Sequence, residues 1–270
     1  MNFRRAQILK QHSRMAGCCF FILVWLAAAS VYSQEEYVLK SAKAFKLIKV
    51  KVAKRVRIPK GYHEGLFFDG KNIWVNNGEK GKTWVVDTTS GSVLSEIEPI
   101  GTFTEGITQG PGGIYLATDW DTNRLYRAHV SAGRMIADSE VSFEPAHPTG
   151  VAWNGANIFV IIWTRGMGTK FHLIQLDEAG KPLRKMRIER IQEPAHMAWD
   201  GKYLWVTSWY SKLVYKVDIK SWEILGAFRS PVSDATGIAW DGKSLWLTGT
   251  RGDLYQLEVI DKQKVNTHGS

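Results

Sequence analysis

One short motif recurs along this chain, and the recurrence narrows the folds open to it more than any other feature. Glu64-Gly65-Leu66-Phe67-Phe68-Asp69-Gly70, Thr149-Gly150-Val151-Ala152-Trp153-Asn154-Gly155, Ala195-His196-Met197-Ala198-Trp199-Asp200-Gly201 and Thr236-Gly237-Ile238-Ala239-Trp240-Asp241-Gly242 are copies of it. Glu105-Gly106-Ile107-Thr108-Gln109-Gly110 is a degenerate fifth. Counted at their second residue, the copies stand at 65, 106, 150, 196 and 237, with spacings of 41, 44, 46 and 41 residues. A period of about 40–45 residues is the spacing of β-propeller blades, each a meander of four strands.

Every copy unrolls in the same way. A short apolar strand ends at Asp-Gly or Asn-Gly, a pair that favours a tight two-residue hairpin because both residues accept positive φ. A second strand follows, as in Ile73-Trp74-Val75, Ile158-Phe159-Val160 or Leu204-Trp205-Val206. A third alternates apolar and polar residues, as a half-buried strand should, in Leu125-Tyr126-Arg127 and Val214-Tyr215-Lys216-Val217. A Ser/Gly turn leads to a fourth. The last repeat has only three strands before a polar tail, 262–270. The alternating stretch 47–59 is therefore expected to supply its missing outer strand, which would close the ring and remove open sheet edges. The expectation is an all-β, five-bladed β-propeller over 47–261 with four-stranded blades. Trp74, Trp153, Trp199, Trp205, Trp240 and Trp246 then belong to its core.

The formal net charge of +9 is uneven. Residues 1–33 carry Arg4, Arg5, Lys10 and Arg14 and no acid, then an apolar run from Ala16 to Val31 and the exit Val31-Tyr32-Ser33. A basic head, an apolar centre too short to cross a bilayer and small residues at the exit describe a secretory signal peptide cleaved near Ser33. Residues 34–46 would be a linker. Both cysteines, Cys18 and Cys19, fall inside the signal, so the mature chain has no thiol for a disulfide, a nucleophile or a metal. Without the signal the charge is +5, with Lys and Arg set among acids, which argues against nucleic acid. The expectation is a secreted or periplasmic monomer with no membrane association after cleavage.

The order of Glu64-Gly65-Leu66, Phe103-Thr104-Glu105-Gly106-Ile107-Thr108, Thr207-Ser208-Trp209 and Thr236-Gly237-Ile238-Ala239-Trp240-Asp241 resembles the bacterial and plant glutaminyl cyclases (glutamine cyclotransferases). The likeness covers about residues 60–260. It implies a five-bladed propeller, conversion of an N-terminal glutamine to pyroglutamate with loss of ammonia, and no dependence on zinc. Glu105 stands at the glutamate of the family's FGEGLT pattern and Trp209 at the tryptophan of ANVW. Glu64 replaces the glutamine of FTQGL, Val75 the glutamate of YESTG and Thr236 the asparagine of LNGIAYD. The NELEW segment becomes Pro194-Ala195-His196-Met197-Ala198.

In a propeller the first strand of each blade lines the central channel and the loops at its mouth hold ligands. Cyclisation needs a group that takes a proton from the α-amine and returns one to departing ammonia, work suited to a carboxylate of raised pKa. Glu105 is the candidate, with Glu64 as its partner; the alternative is that both hold the turns where neighbouring blades begin. Asn76, Asn77, Trp120, Trp163, Arg165, His196, Trp209 and Tyr210 are the candidate substrate contacts. His63, His147 and His196 raise the question of a metal, but no spacing here is a ligand pattern, so neither metal nor other cofactor is expected. No Gly-x-Ser-x-Gly elbow or phosphate loop occurs. The readings left open are a glutaminyl-peptide cyclotransferase, a non-catalytic propeller binding a peptide, small molecule, glycan or protein at its channel face, and, more weakly, a metal-dependent lactonase or lyase.

Overall fold

The structure, a computed structural model, describes residues 37–78, 80–165 and 170–260. The signal segment 1–33 and the tail 262–270 lie outside the described residues. Two strands precede the repeats, β1 (Tyr37–Leu47) and β2 (Lys49–Val56). The first repeat forms β3 (His63–Phe68), β4 (Ile73–Asn77), β5 (Lys82–Val86) and β6 (Val93–Ile97). The second forms β7 (Thr104–Gln109), β8 (Tyr115–Asp119), β9 (Arg124–Ser131) and β10 (Arg134–Ser142). The third forms β11 (His147–Trp153), β12 (Ile158–Thr164), β13 (Lys170–Leu176) and β14 (Pro182–Ile188). The fourth forms β15 (Pro194–Trp199), β16 (Leu204–Ser208), β17 (Leu213–Asp218) and β18 (Glu223–Arg229). The last contributes β19 (Ala235–Trp240), β20 (Leu245–Gly249) and β21 (Leu254–Ile260).

Within each repeat the strands pair antiparallel in chain order. Beside β21 lies β2, in register from Lys49 opposite Ile260 to Val56 opposite Leu254, so this sheet takes its fourth strand from the N-terminal side of the chain. The stretch expected as a linker is instead a strand over its described part. β1 runs parallel to β14 through Tyr37–Leu39 and then parallel to β18 through Lys40–Leu47, joining the third and fourth repeats into one nine-stranded sheet. Its burial explains why it is held: Leu39, 1 % exposed, enters a core with Phe159, Ile161, Met186, Met197 and Val206 from both repeats.

The Asp-Gly turns differ from the expected two-residue hairpins. Phe68 pairs with Ile73, leaving a four-residue turn, and only the glycine takes positive φ, at 98° in Gly70. The aspartate closes the turn with its side chain. Asp69 accepts the N–H groups of Lys71 and Asn72 through Oδ1, and the Nε1–H of Trp74 through Oδ2 at 2.8 Å. Asp200 and Asp241 repeat the device with Trp205 and Trp246 at 2.7 and 2.8 Å. Burial disfavours the charge on Asp69 and Asp241, yet these hydrogen bonds outweigh it and hold both carboxyls below their usual range. The motif's Asp and the Trp five residues on are thus one structural unit.

Candidate functional site

The inner strands β3, β7, β11, β15 and β19 lie each against the next, β19 returning to β3. Near its start every one carries a bulge, falling at Glu64-Gly65, Glu105-Gly106, Thr149-Gly150, Ala195-His196 and Thr236. Bulges bend a strand and leave residues unpaired, so at this level neighbouring backbones come into contact. A Cβ on Gly65 would stand 2.4 Å from Glu105 O, on Gly106 2.7 Å from Thr149 O, on Gly150 2.6 Å from Ala195 O and on Gly237 2.3 Å from Glu64 O. No side chain fits there, which is the physical reason for the repeated glycine.

The fourth repeat breaks the rule with His196. Its imidazole is 2 % exposed; Nε2 lies 3.3 Å from the backbone N of Ile107 on β7, and Nδ1 3.1 Å from the carbonyl of Ile238 on β19. An amide can only donate and a carbonyl only accept, so the neutral ring carries its proton on Nδ1. The side chain thus ties β15 to β19, its neighbour, and to β7, which is not its neighbour, and fills the axis at the level of the bulges. Burial lowers its pKa to about 4, with the Ile238 carbonyl pulling weakly the other way.

Opposite the bulge in the first, second and fourth repeats, the second strand places one residue that fastens the next repeat. Asn76 Nδ2 donates to Glu105 O at 3.3 Å, Thr118 Oγ1 to Thr149 O at 2.6 Å and Thr207 Oγ1 to Thr236 O at 3.2 Å. Between the last repeat and the first, Thr236 Oγ1 donates to His63 O at 2.9 Å. Aligning the second strands would have exposed the series Asn76, Thr118, Ile161, Thr207 and Thr248, but a lone threonine in an apolar strand gives no other signal.

Glu64 and Glu105 occupy equivalent bulge positions on touching strands and are 2 % and 4 % exposed. Asn77 is buried with its Oδ1 accepting the N–H groups of Tyr62 and Lys80. Asp119, wholly buried, takes N–H groups from Phe103 and Thr122; burial nevertheless raises its pKa. The histidines have separate surroundings. His63 Nε2 faces Pro59 O at 3.0 Å with its ring edge to Trp84, and burial lowers its pKa. His147 stacks on Trp120 at 4.4 Å and lies 5.2 Å from Trp163, which stands 5.2 Å from Trp120. This half-buried trio forms the rim between the second and third repeats. Arg165 follows it, exposed; Trp209 and the 65 %-exposed Tyr210 follow β16 in the fourth repeat. Among the described residues no group of three or more His, Cys, Asp or Glu is placed to hold a metal ion.

Four-stranded antiparallel sheets set around a ring of inner strands define a β-propeller. Among solved structures the chain is similar to the glutaminyl cyclase of Myxococcus xanthus, with a TM-score of 0.65 and 13% identity over 80% of this chain and 100% of that one. It is also similar to the PQQ-bound aldose sugar dehydrogenase of Streptomyces coelicolor, with a TM-score of 0.53 and 14% identity over 79% and 98%. The virginiamycin B lyase of Staphylococcus aureus follows with a TM-score of 0.51 and 13% identity over 79% and 100%. At such identities the likeness is one of fold. No family model matches the chain, and no curated protein does.

Proposed function

We propose that the chain is an exported, five-bladed propeller with glutaminyl-peptide cyclotransferase chemistry at the mouth of its axis. The observation that carries this reading is the pair Glu64 and Glu105, almost fully buried on touching strands. Glutamate is rarely buried so deeply unless it is paired or put to use, so two on touching strands mark this level of the ring as the candidate site. The likeness of fold to the Myxococcus glutaminyl cyclase, at a TM-score of 0.65, is compatible with that chemistry. In the reaction the α-nitrogen of the substrate bonds to its own side-chain carbonyl carbon. The carbon–nitrogen bond of the side-chain amide breaks, and a proton passes from the attacking amine to the departing ammonia. Glu105 is the carrier of that proton, and Glu64 receives the amino end. The half-buried Trp120, Trp163 and Trp209 would flank the peptide.

The test is ammonia release from a glutaminyl dipeptide. Glu105→Gln keeps the shape of the side chain and removes the proton transfer, so the rate should fall ~10²–10⁴-fold with the fold intact. A second reading, a propeller that binds a peptide or glycan without catalysis, is favoured by the use of Asn76, Asn77 and His196 as backbone ties. Wild-type protein that releases no ammonia, together with a Glu105→Gln variant of lowered stability, would leave that second reading alone.

A further inference from the structure

The positive charge of the chain is concentrated rather than scattered. Between Tyr37 and Tyr62 there are nine Lys and Arg residues and no acid, whereas residues 63–270 carry 22 Lys and Arg against 24 Asp and Glu. In the fold this basic stretch is β1 and β2, laid along the outer edges of the third, fourth and last repeats. Lys40, Lys43, Lys46, Lys49 and Lys51 are all exposed. Among the described residues the stretch makes one ion pair, Arg55 with Asp253 at 2.8 Å. β14, beside β1, adds the half-buried Arg184, whose guanidinium lies 5.2 Å from the ring centre of Tyr37. Large apolar side chains stand exposed among the cations: Leu47 is 83 % exposed, Val52 46 % and Phe45 42 %.

A propeller edge needs neither feature to stay folded. Exposed cations interleaved with uncovered apolar groups match the interface of an anionic bilayer, where ammonium groups meet phosphates and apolar side chains enter between headgroups. The uncovered apolar side chains favour a lipid surface over a polymeric anion, because only a bilayer offers an apolar layer for them to enter. From these observations we infer that the β1–β2 ribbon docks the propeller on a membrane rich in anionic phospholipid. This departs from the expectation of no membrane association.

The test compares the full-chain protein with the full-chain variant Lys43→Gln, Lys46→Gln, Lys49→Gln, Lys51→Gln. Both carry the same N-terminal run, and all four positions are exposed, so a melting curve should show the variant folded. Co-sedimentation uses vesicles of phosphatidylcholine with and without phosphatidylglycerol, at about 0.05 M and about 0.5 M salt, where screening lengths differ severalfold. Wild-type binding to the phosphatidylglycerol vesicles should exceed binding to neutral ones and weaken at high salt. Each cation at such a surface contributes about fivefold, so the variant, which loses four, should bind roughly 600-fold more weakly. Equal binding of both proteins, or equal binding to both vesicles, overturns the inference. So does wild-type protein that prefers duplex DNA or heparin to the vesicles, since the ribbon would then serve a polymer.

Discussion

The boundary between the third and fourth repeats is fastened differently from its counterparts. Elsewhere Asn76, Thr118, Thr207 or Thr236 donates a side-chain hydrogen bond to a backbone carbonyl of the neighbouring repeat. At the third repeat the equivalent position holds Ile161, fully buried, and the Oγ1 of nearby Thr149 is buried without a partner. Apolar packing around Ile161, Met186, Met197 and Val206 takes over at this boundary. So does β1, paired with β14 on one side and β18 on the other. The inner-strand glycine is also exchanged for His196 here. One repeat can therefore abandon the shared polar tie if a strand from outside the repeats and a wider apolar core replace it.

The comparison can be broken most directly at β1. Deleting residues 37–47 should bare the edges of β14 and β18 and uncover the core around Leu39, giving aggregation in place of a folded monomer. Size-exclusion chromatography reads the outcome, and a monomer of unchanged melting temperature would show that β1 contributes nothing to this boundary.

His196 is the next largest effect. Unfolded, the imidazole takes a proton near pH 6.5; folded, it resists until about pH 4, because it is buried and its Nε2 must accept from Ile107. In that window the unfolded state binds more protons, so stability is fully present above pH 6.5 and declines as pH falls to about 4. Each tenfold difference in proton affinity between the two states is about 1.4 kcal/mol, so the loss is about 3 kcal/mol. His196→Gln has no titrating group, so its denaturant midpoints should change less over the window than those of wild type. Parallel pH profiles would mean that other groups, His63 among them, set the acid sensitivity.

Smaller changes sharpen the contrast between the two kinds of fastening. Thr118→Val strands the Gly106 N–H and the Thr149 carbonyl and should destabilise by about 2 kcal/mol. Giving the third repeat the hydroxyl it lacks, by Ile161→Thr, should also destabilise, since the hydroxyl would enter an apolar cluster. If Ile161→Thr instead raises the melting temperature, the boundary wants the polar tie after all. The smallest effect lies at the outer turns. Trp74→Phe loses one hydrogen bond to Asp69, about 1 kcal/mol, and the same change at Trp205 or Trp246 should match it in chemical denaturation.

Much of the scaffold was legible because a repeat writes its local needs at fixed intervals. The glycine at 65, 106, 150 and 237 records how closely two backbones approach, and the paired Asp and Trp record one closed turn. The alternating stretch before the first repeat likewise announced a strand, and β2 lies beside β21. The candidate site was less legible. The sequence nominates His196 as a residue at the mouth, but its two partners lie 89 and 42 residues away, and no local pattern gives that geometry. Asn76 reads as a ligand contact until its amide is seen bonded to Glu105 O. The stretch 34–46 reads as a linker because it carries no copy of the repeat motif, and strand pairing there depends on backbone edges supplied by two distant repeats. The sequence alone determined the repeat, its turns and the strands within it, since these follow from the order of neighbouring side chains. Only the tertiary structure decided what fills the axis, how each boundary is fastened and where β1 lies, because those depend on backbone groups that every residue carries and no sequence distinguishes.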